Sequence, residues 1–279
     1  MELSAARLEF LLEHQNADGG WGYFPGGQSW LEPTVYAALA LYGLRDDAVG
    51  RAWALIRNWQ NPDGGWRPNA AVLASTWVTA LAITLGDTVG EAGAAIQKGV
   101  EWLAKSRGAE SSPLARALRV FGMGPIEREV KHKGWPWCPG TSAWVEPTAH
   151  ALVALRRVAR RVPDRSLLQR IESGERMLAA VRCTDGGWNY GSPRALGVDL
   201  PSYPETTGLA LVGLQRRAPP DAFDHARELL RNGASPLARA WLSIGLRAAG
   251  REAVERSAGR SVTVAAQPDI LQCAVEALA

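Results

Sequence analysis

The sequence predicts an all-α fold, a single α6/α6 toroid with an internal duplication. Three observations lead there. A short phrase recurs, in which a helical stretch ends in Asp-Gly-Gly-Trp and a new helix follows: Gln15-Asn16-Ala17-Asp18-Gly19-Gly20-Trp21, Gln60-Asn61-Pro62-Asp63-Gly64-Gly65-Trp66 and Asp185-Gly186-Gly187-Trp188. Gly134-Trp135-Pro136-Trp137 is a decayed fourth copy. Recurrence at such spacing marks stacked supersecondary units. Two helix types alternate, one amphipathic and one apolar nearly all round, as in an outer and an inner ring. No segment shows the sustained alternation of a strand.

Taken in chain order, Leu3–His14 is amphipathic and belongs outside, and Pro33–Leu44 is apolar nearly all round and belongs inside. Ala48–Gln60 sets Val49, Ala52, Trp53 and Ile56 at helical spacing beside Arg51, Arg57 and Asn58, so it faces water on one side. Ala71–Leu85 is an inner helix and Glu91–Lys105 an outer one. Pro113–Phe121 is read as inner, although it carries arginines. Pro147–Leu155 is inner, Leu167–Val181 outer, Thr206–Leu214 inner, Asp221–Leu230 outer and Pro236–Ala248 inner. A last helix within residues 268–279 is expected to close the ring. Ser112-Pro113-Leu114-Ala115-Arg116-Ala117 returns as Ser235-Pro236-Leu237-Ala238-Arg239-Ala240, and Trp30-Leu31-Glu32-Pro33-Thr34 as Trp144-Val145-Glu146-Pro147-Thr148. Residues 1–279 therefore read as one domain of two pseudo-repeats, about 1–124 and 125–250. Three inner helices alone cannot enclose a core.

In the repeated phrase, glycine allows a sharp exit from the helix. Asp bonds nearby backbone amides, the preceding Gln ties helix ends together, and the Trp N–H requires a partner. These are structural duties. The third copy has Arg182 where the first two have Gln15 and Gln60.

With 279 residues and 47% hydrophobic content, the chain can bury a sizeable core. The net charge of +3 is interspersed, with no basic run suited to nucleic acid. Cys138, Cys183 and Cys273 are scattered and odd in number, which fits reduced thiols in a cytoplasmic protein. The N-terminus lacks a signal-peptide layout. The uncharged run between Arg67 and Asp87 holds Asn69, Ser75, Thr76, Thr79 and Thr84, too polar for a membrane span.

The phrase Gln-x-x-Asp-Gly-Gly-Trp followed by an apolar helix resembles the QW repeat of squalene–hopene and oxidosqualene cyclases. The inner helices resemble the prenyltransferase and squalene-oxidase repeat. Gly134-Trp135-Pro136-Trp137 with Trp144-Val145-Glu146-Pro147-Thr148-Ala149 is similar to bacterial single-domain members of that group. The likeness covers most of residues 3 to 248 and implies the α/α toroid, a hydrophobic isoprenoid as partner, no cofactor, and peripheral membrane contact as an open option. The families' catalytic motifs are missing. The Asp-x-Asp-Asp acid of class II cyclases has as its nearest counterparts Glu32-Pro33-Thr34, Glu146-Pro147-Thr148 and Glu205-Thr206-Thr207. The spaced Asp, Cys and His that bind zinc in protein prenyltransferases have no counterpart, and Asp46-Asp47 lacks the third residue of a magnesium motif. The chain is about half as long as a two-domain triterpene cyclase.

Proline favours the first helical position. Taking Pro33, Pro113, Pro147 and Pro236 as first residues sets Tyr36, Arg116, His150 and Arg239 at one depth, and Thr207 joins them if Pro204 starts its helix. Glu32, Glu146 and Glu205 then stand at the same end. The expected site is a mouth of carboxylates, arginines, histidine and tyrosine over an apolar shaft lined by Trp30, Trp77, Trp137, Trp144 and Trp241. Glu146, Glu32, Glu205 and His150 are the acid–base candidates. Arg116, Arg239, Tyr36, Thr207 and the tryptophans are the substrate-binding candidates, and no metal is expected. The structural alternative stays open: glutamates at helix starts complement the macrodipole, Ser29 with Glu32 and Ser202 with Glu205 fit capping boxes, and the arginines pair with these acids. The resemblance favours a terpene-cyclase-like enzyme. A hydrophobic-ligand carrier or scaffold and a carbohydrate lyase or glycosidase on the same architecture are the alternatives.

Overall fold

The computed structural model describes residues 2–112, 117, 131–252 and 269–279. Among these residues the helices are α1 (Glu2–Glu13), α2 (Leu31–Leu41), α3 (Asp46–Arg57), α4 (Thr79–Thr88), α5 (Ala94–Lys105), α6 (Val145–Arg161), α7 (Arg165–Ala180), α8 (Pro204–Leu214), α9 (Pro220–Arg231), α10 (Pro236–Ala248) and α11 (Ile270–Leu278). Two ladders of two residues per strand decorate the loops: β1 (Trp135–Pro136) with β2 (Ala143–Trp144), and β3 (Arg194–Ala195) with β4 (Val198–Asp199).

Six helices pack in a closed cycle: α2 on α4, α4 on α6, α6 on α8, α8 on α10, α10 on α11, and α11 back on α2. Outside them, α1 covers α11 and α2, α3 covers α2 and α4, α5 covers α4, α7 covers α6 and α8, and α9 covers α8 and α10. This is the all-α toroid. Most of Pro113–Phe121 lies outside the described residues; among the described residues α4 packs directly on α6. As expected of the last helix, α11 closes the cycle, packing between α10 and α2.

The motif tryptophans fasten the two rings. Trp21, Trp66, Trp135 and Trp188 are fully buried. Each indole N–H donates to a carbonyl near the end of an outer helix: Leu11, Ile56, Leu103 and Leu178 respectively, at 2.6–2.9 Å. Each backbone N–H donates to a threonine hydroxyl at the start of the next inner helix: Thr34, Thr79, Thr148 and Thr207. The Gln15 and Gln60 amides each donate to two carbonyls, one in their own turn and one at the next outer helix, Ala48 or Ala95. Asp18, Asp63 and Asp185 accept from the N–H two residues on.

The turns consume more chain than periodicity suggests. The periodicity predicts one helix over Ala71–Leu85, but the helix begins at Thr79, because residues 67–78 form the loop that brings Ser75 onto Asp63 at 2.7 Å. Pro33 and Pro147 are third rather than first residues of α2 and α6, whereas Pro204 and Pro236 do come first. The capping boxes do not form. Trp30 and Tyr203 hold the cap positions, while Ser29 bonds Asp18 and Ser202 meets His225.

Candidate functional site

Glu32, Glu146 and Glu205 are each the second residue of their helices, α2, α6 and α8. Tyr36, His150 and Trp241 are each the sixth residue of α2, α6 and α10. Four residues of helix rise about 6 Å, so an acid layer lies one turn above a ring layer. Because α2, α6 and α10 are alternate members of the cycle, their sixth residues converge on its axis. Tyr36 and Trp241 rings lie 5.5 Å apart, His150 and Trp241 5.9 Å, and Tyr36 and His150 6.2 Å. These are aromatic contact distances. The three rings therefore meet across the axis at this depth, where a shaft is expected, and form an aromatic floor.

Trp77 stands beside the floor, its ring 5.4 Å from His150 and 4.8 Å, nearly perpendicular, from Trp137. The Trp77 N–H donates to the Trp137 carbonyl at 3.0 Å, which ties the loop before α4 to the one before α6. Both indoles stay partly exposed, as do Trp30 and Trp144. Trp30 packs at 5.7 Å from Tyr23, and Trp144 pairs with Trp135 in the small ladder.

Burial dominates the electrostatics. It pushes the Glu32 carboxyl up to about 7, helped by the charges of Asp269 and Glu205 and opposed by a hydrogen bond from Tyr23. The Tyr23 hydroxyl donates to Glu32 Oε2 at 2.5 Å. Burial, with the charges of Glu32 and Glu205, drives Glu146 well above the carboxylate range. Burial also raises Glu205. Glu146 has no hydrogen-bond donor among the described residues. His150 Nε2 lies 3.9 Å from Glu146 Oε1, and the Glu146 side chain retains 18% exposure. Helix N-termini ordinarily favour carboxylates, but here desolvation and mutual repulsion outweigh that preference. Burial pushes His150 down to about 3, so its imidazole is neutral, and Nε2 lies 3.1 Å from the Tyr36 hydroxyl.

Several expected site residues are elsewhere. Arg239 turns outward and donates to the Leu230 carbonyl at the end of α9, because position four of α10 faces the outer ring. Thr207 is fully buried and spends its hydroxyl on the Trp188 backbone, a fastening role. Arg116 lies outside the described residues. Tyr23 and Asp269 join the acids but were missed: Tyr23 sits in the loop after the first motif, and Asp269, which caps α11, is distant in sequence. A periodic pattern of aromatic residues gave no signal for either.

A separate cavity of about 420 Å³ opens between α5 and α7, lined by Ile96, Val100, Val158 and Leu167. Among its acids are Asp87, Glu91, Glu101 and Asp164; Asp87 is paired with Arg157 and Arg161. Among the described residues no group of three or more His, Cys, Asp or Glu side chains is placed to hold a metal, and no helix is long and apolar enough to cross a membrane.

Solved structures share this architecture. The type II terpene cyclase MstE from Scytonema, in complex with geranylgeranyl dihydroxybenzoate, matches with a TM-score of 0.57 and 20% identity over 88% of this chain and 71% of that one. A protein from Actinoplanes matches with a TM-score of 0.55 and 19% identity over 99% and 78%. A glycosidase matches with a TM-score of 0.56 and 16% identity over 89% and 79%. At these identities the likeness is one of fold. In sequence, 60 residues are 43% identical to drimenyl diphosphate synthase of Streptantibioticus cattleyicolor, 21% of this chain and 11% of that protein's length. No protein-family model matches. The chain has the terpenoid-cyclase-like α/α toroid fold.

Proposed function

We propose that the chain is a terpene-cyclase-like enzyme that binds an isoprenoid over the aromatic floor and starts a rearrangement by protonating it from Glu146. The observation that carries this reading is a carboxyl group with no donor, held among other acids, directly above a layer of rings. Such a carboxyl holds its proton to higher pH than an exposed one. Its proton passes to an alkene carbon, whose π pair forms the new C–H bond and leaves a carbocation. Trp77, Trp137, Trp241 and Tyr36 present aromatic faces that stabilise a cation by about 0.5–2 kcal/mol each. The cation then loses a proton to the Glu146 carboxylate, and the net reaction is an isomerisation. The similarity to MstE, whose complex holds a geranylgeranyl compound, and to drimenyl diphosphate synthase supports an isoprenoid substrate.

The glycosidase of the same fold supports a second reading, since paired carboxylates also serve glycoside hydrolysis. The aromatic floor, with few polar groups to bind hydroxyls, favours the first. The test is to incubate the protein with linear isoprenoid alcohols and diphosphates and, separately, with glycosides. Isomers of unchanged mass should form from an isoprenoid, and Glu146→Gln should lower their yield about 100-fold or more without loss of helix. Equal yield from Glu146→Gln removes Glu146 as the donor; turnover of glycosides alone transfers the site to the second reading.

A further inference from the structure

The acids at the starts of α2, α6 and α8 are chemically alike and close enough to perturb one another, yet their surroundings differ. Glu32 receives the Tyr23 hydroxyl at 2.5 Å, whereas Glu146 receives no donor among the described residues. Tyr23 is itself held on two sides. Its ring packs on Trp30, and its carbonyl accepts from the Ile270 N–H at 2.8 Å, the first residue of α11. The groups acting on Glu32 are Tyr23, Asp269 and Glu205, and those acting on Glu146 are Glu32 and Glu205, with His150 Nε2 beside it.

We propose that Tyr23 is a positioning residue for the acid: its hydroxyl fixes Glu32 as the charge-bearing partner and so leaves Glu146 as the carboxyl that holds the proton. Two carboxyls that share a field do not ionise together. A phenolic donor favours the charged form of the carboxyl it reaches, so of the Glu32–Glu146 pair it is Glu32 that carries negative charge, and that charge in turn opposes ionisation of Glu146. The clamp spans the loop after the first motif, α2 and α11, so the division of labour depends on the closing helix being in its place. The assignment of Glu146 as donor rests on the proposed function; the division of charge between the two carboxyls does not.

The test is a carboxyl titration by carbon NMR on the full chain labelled at glutamate, in wild type, Tyr23→Phe and Glu32→Gln. Tyr23→Phe keeps the ring and the backbone carbonyl, so it retains the contacts to Trp30 and Ile270. Loss of the hydroxyl should raise the Glu32 titration by about one pH unit and lower that of Glu146. Glu32→Gln should lower Glu146 as well. Unchanged titrations in Tyr23→Phe, with helix content intact, overturn the proposal, as does a fall in Glu32 rather than a rise. Because this readout needs no substrate, it is separate from the turnover test: the expected shifts with full activity of Glu146→Gln would retain the clamp and discard the donor role. Where turnover is measurable, the alkaline limb of the kcat–pH profile should move to lower pH in Tyr23→Phe, which a purely structural tyrosine would not do.

Discussion

The hydroxyl of Tyr36 and Nε2 of His150 lie 3.1 Å apart, although 114 residues separate them in sequence. Each is the sixth residue of an inner helix, and the bond crosses the centre of the cycle from α2 to α6. A neutral imidazole is required for this contact to persist without a buried charge, and burial supplies it by pushing His150 down to about 3.

The two layers give opposite pH dependences of stability. Glu32 rises from 4.5 to about 7 on folding, so its contribution is complete below about 4.5 and is lost as pH rises through about 7. His150 falls from 6.5 to about 3, so its contribution is complete above 6.5 and is lost as pH falls through about 3. Thermal melting of Glu32→Gln should therefore show a smaller drop between pH 5 and pH 8 than wild type, by about 2–4 °C for each kcal/mol recovered. An equal drop in both proteins would show that Glu32 is ionised without penalty.

The motif turn should tolerate no side chain at Gly64. Its φ is +93°, and a Cβ would stand 2.7 Å from the Lys98 carbonyl oxygen on α5. Gly90 shares the left-handed conformation, φ +83°, but faces open space. Urea denaturation should find Gly64→Ala destabilised by about 2–5 kcal/mol and Gly90→Ala by about 1–2 kcal/mol. Equal losses would mean that α5 yields to the new methyl group.

Arg182 replaces the glutamine of the third motif and performs its task by another route. Its Nε donates to Gly186 O at 2.9 Å, as Gln15 and Gln60 do to Gly19 and Gly64, and its outer nitrogen pairs with Asp221 on α9 at 2.7 Å. Arg182→Gln should cost about 0.5–1 kcal/mol and Arg182→Ala about 1–2 kcal/mol in the same assay. Equal losses in Gln and Ala would show that the ion pair, not the turn carbonyl, is what Arg182 serves.

The architecture was legible because apolar periodicity and motif recurrence report burial directly. Glu32, Glu146, Tyr36, His150 and Trp241 could be placed at one end for the same reason, since helical depth follows from residue count. Arg239 was misplaced because a count gives depth and not azimuth: position four of α10 faces outward, and position six faces in. Thr207 was misread because nothing in a lone threonine announces that a tryptophan amide thirteen or more residues away will claim it. The decayed fourth motif lacks Asp and Gln, and its repair was invisible: Arg170 comes from α7, lies 3.3 Å over the Trp135 ring, and donates to the carbonyls of Ala104, Lys133, Gly134 and Ser106.

The place of α11 joins distant stretches of the chain. It sits between α2 and α10 and beneath α1, with Arg7 paired to Glu276 and the Ile270 N–H on the Tyr23 carbonyl. Its partners on α1 and α2 lie more than 220 residues away in sequence. Contacts of that separation carry a high loop-closure cost and slow folding. The seam between α2 and α10 therefore rests on the most remote contacts of the ring, and substitutions that loosen α11 should open the toroid there first.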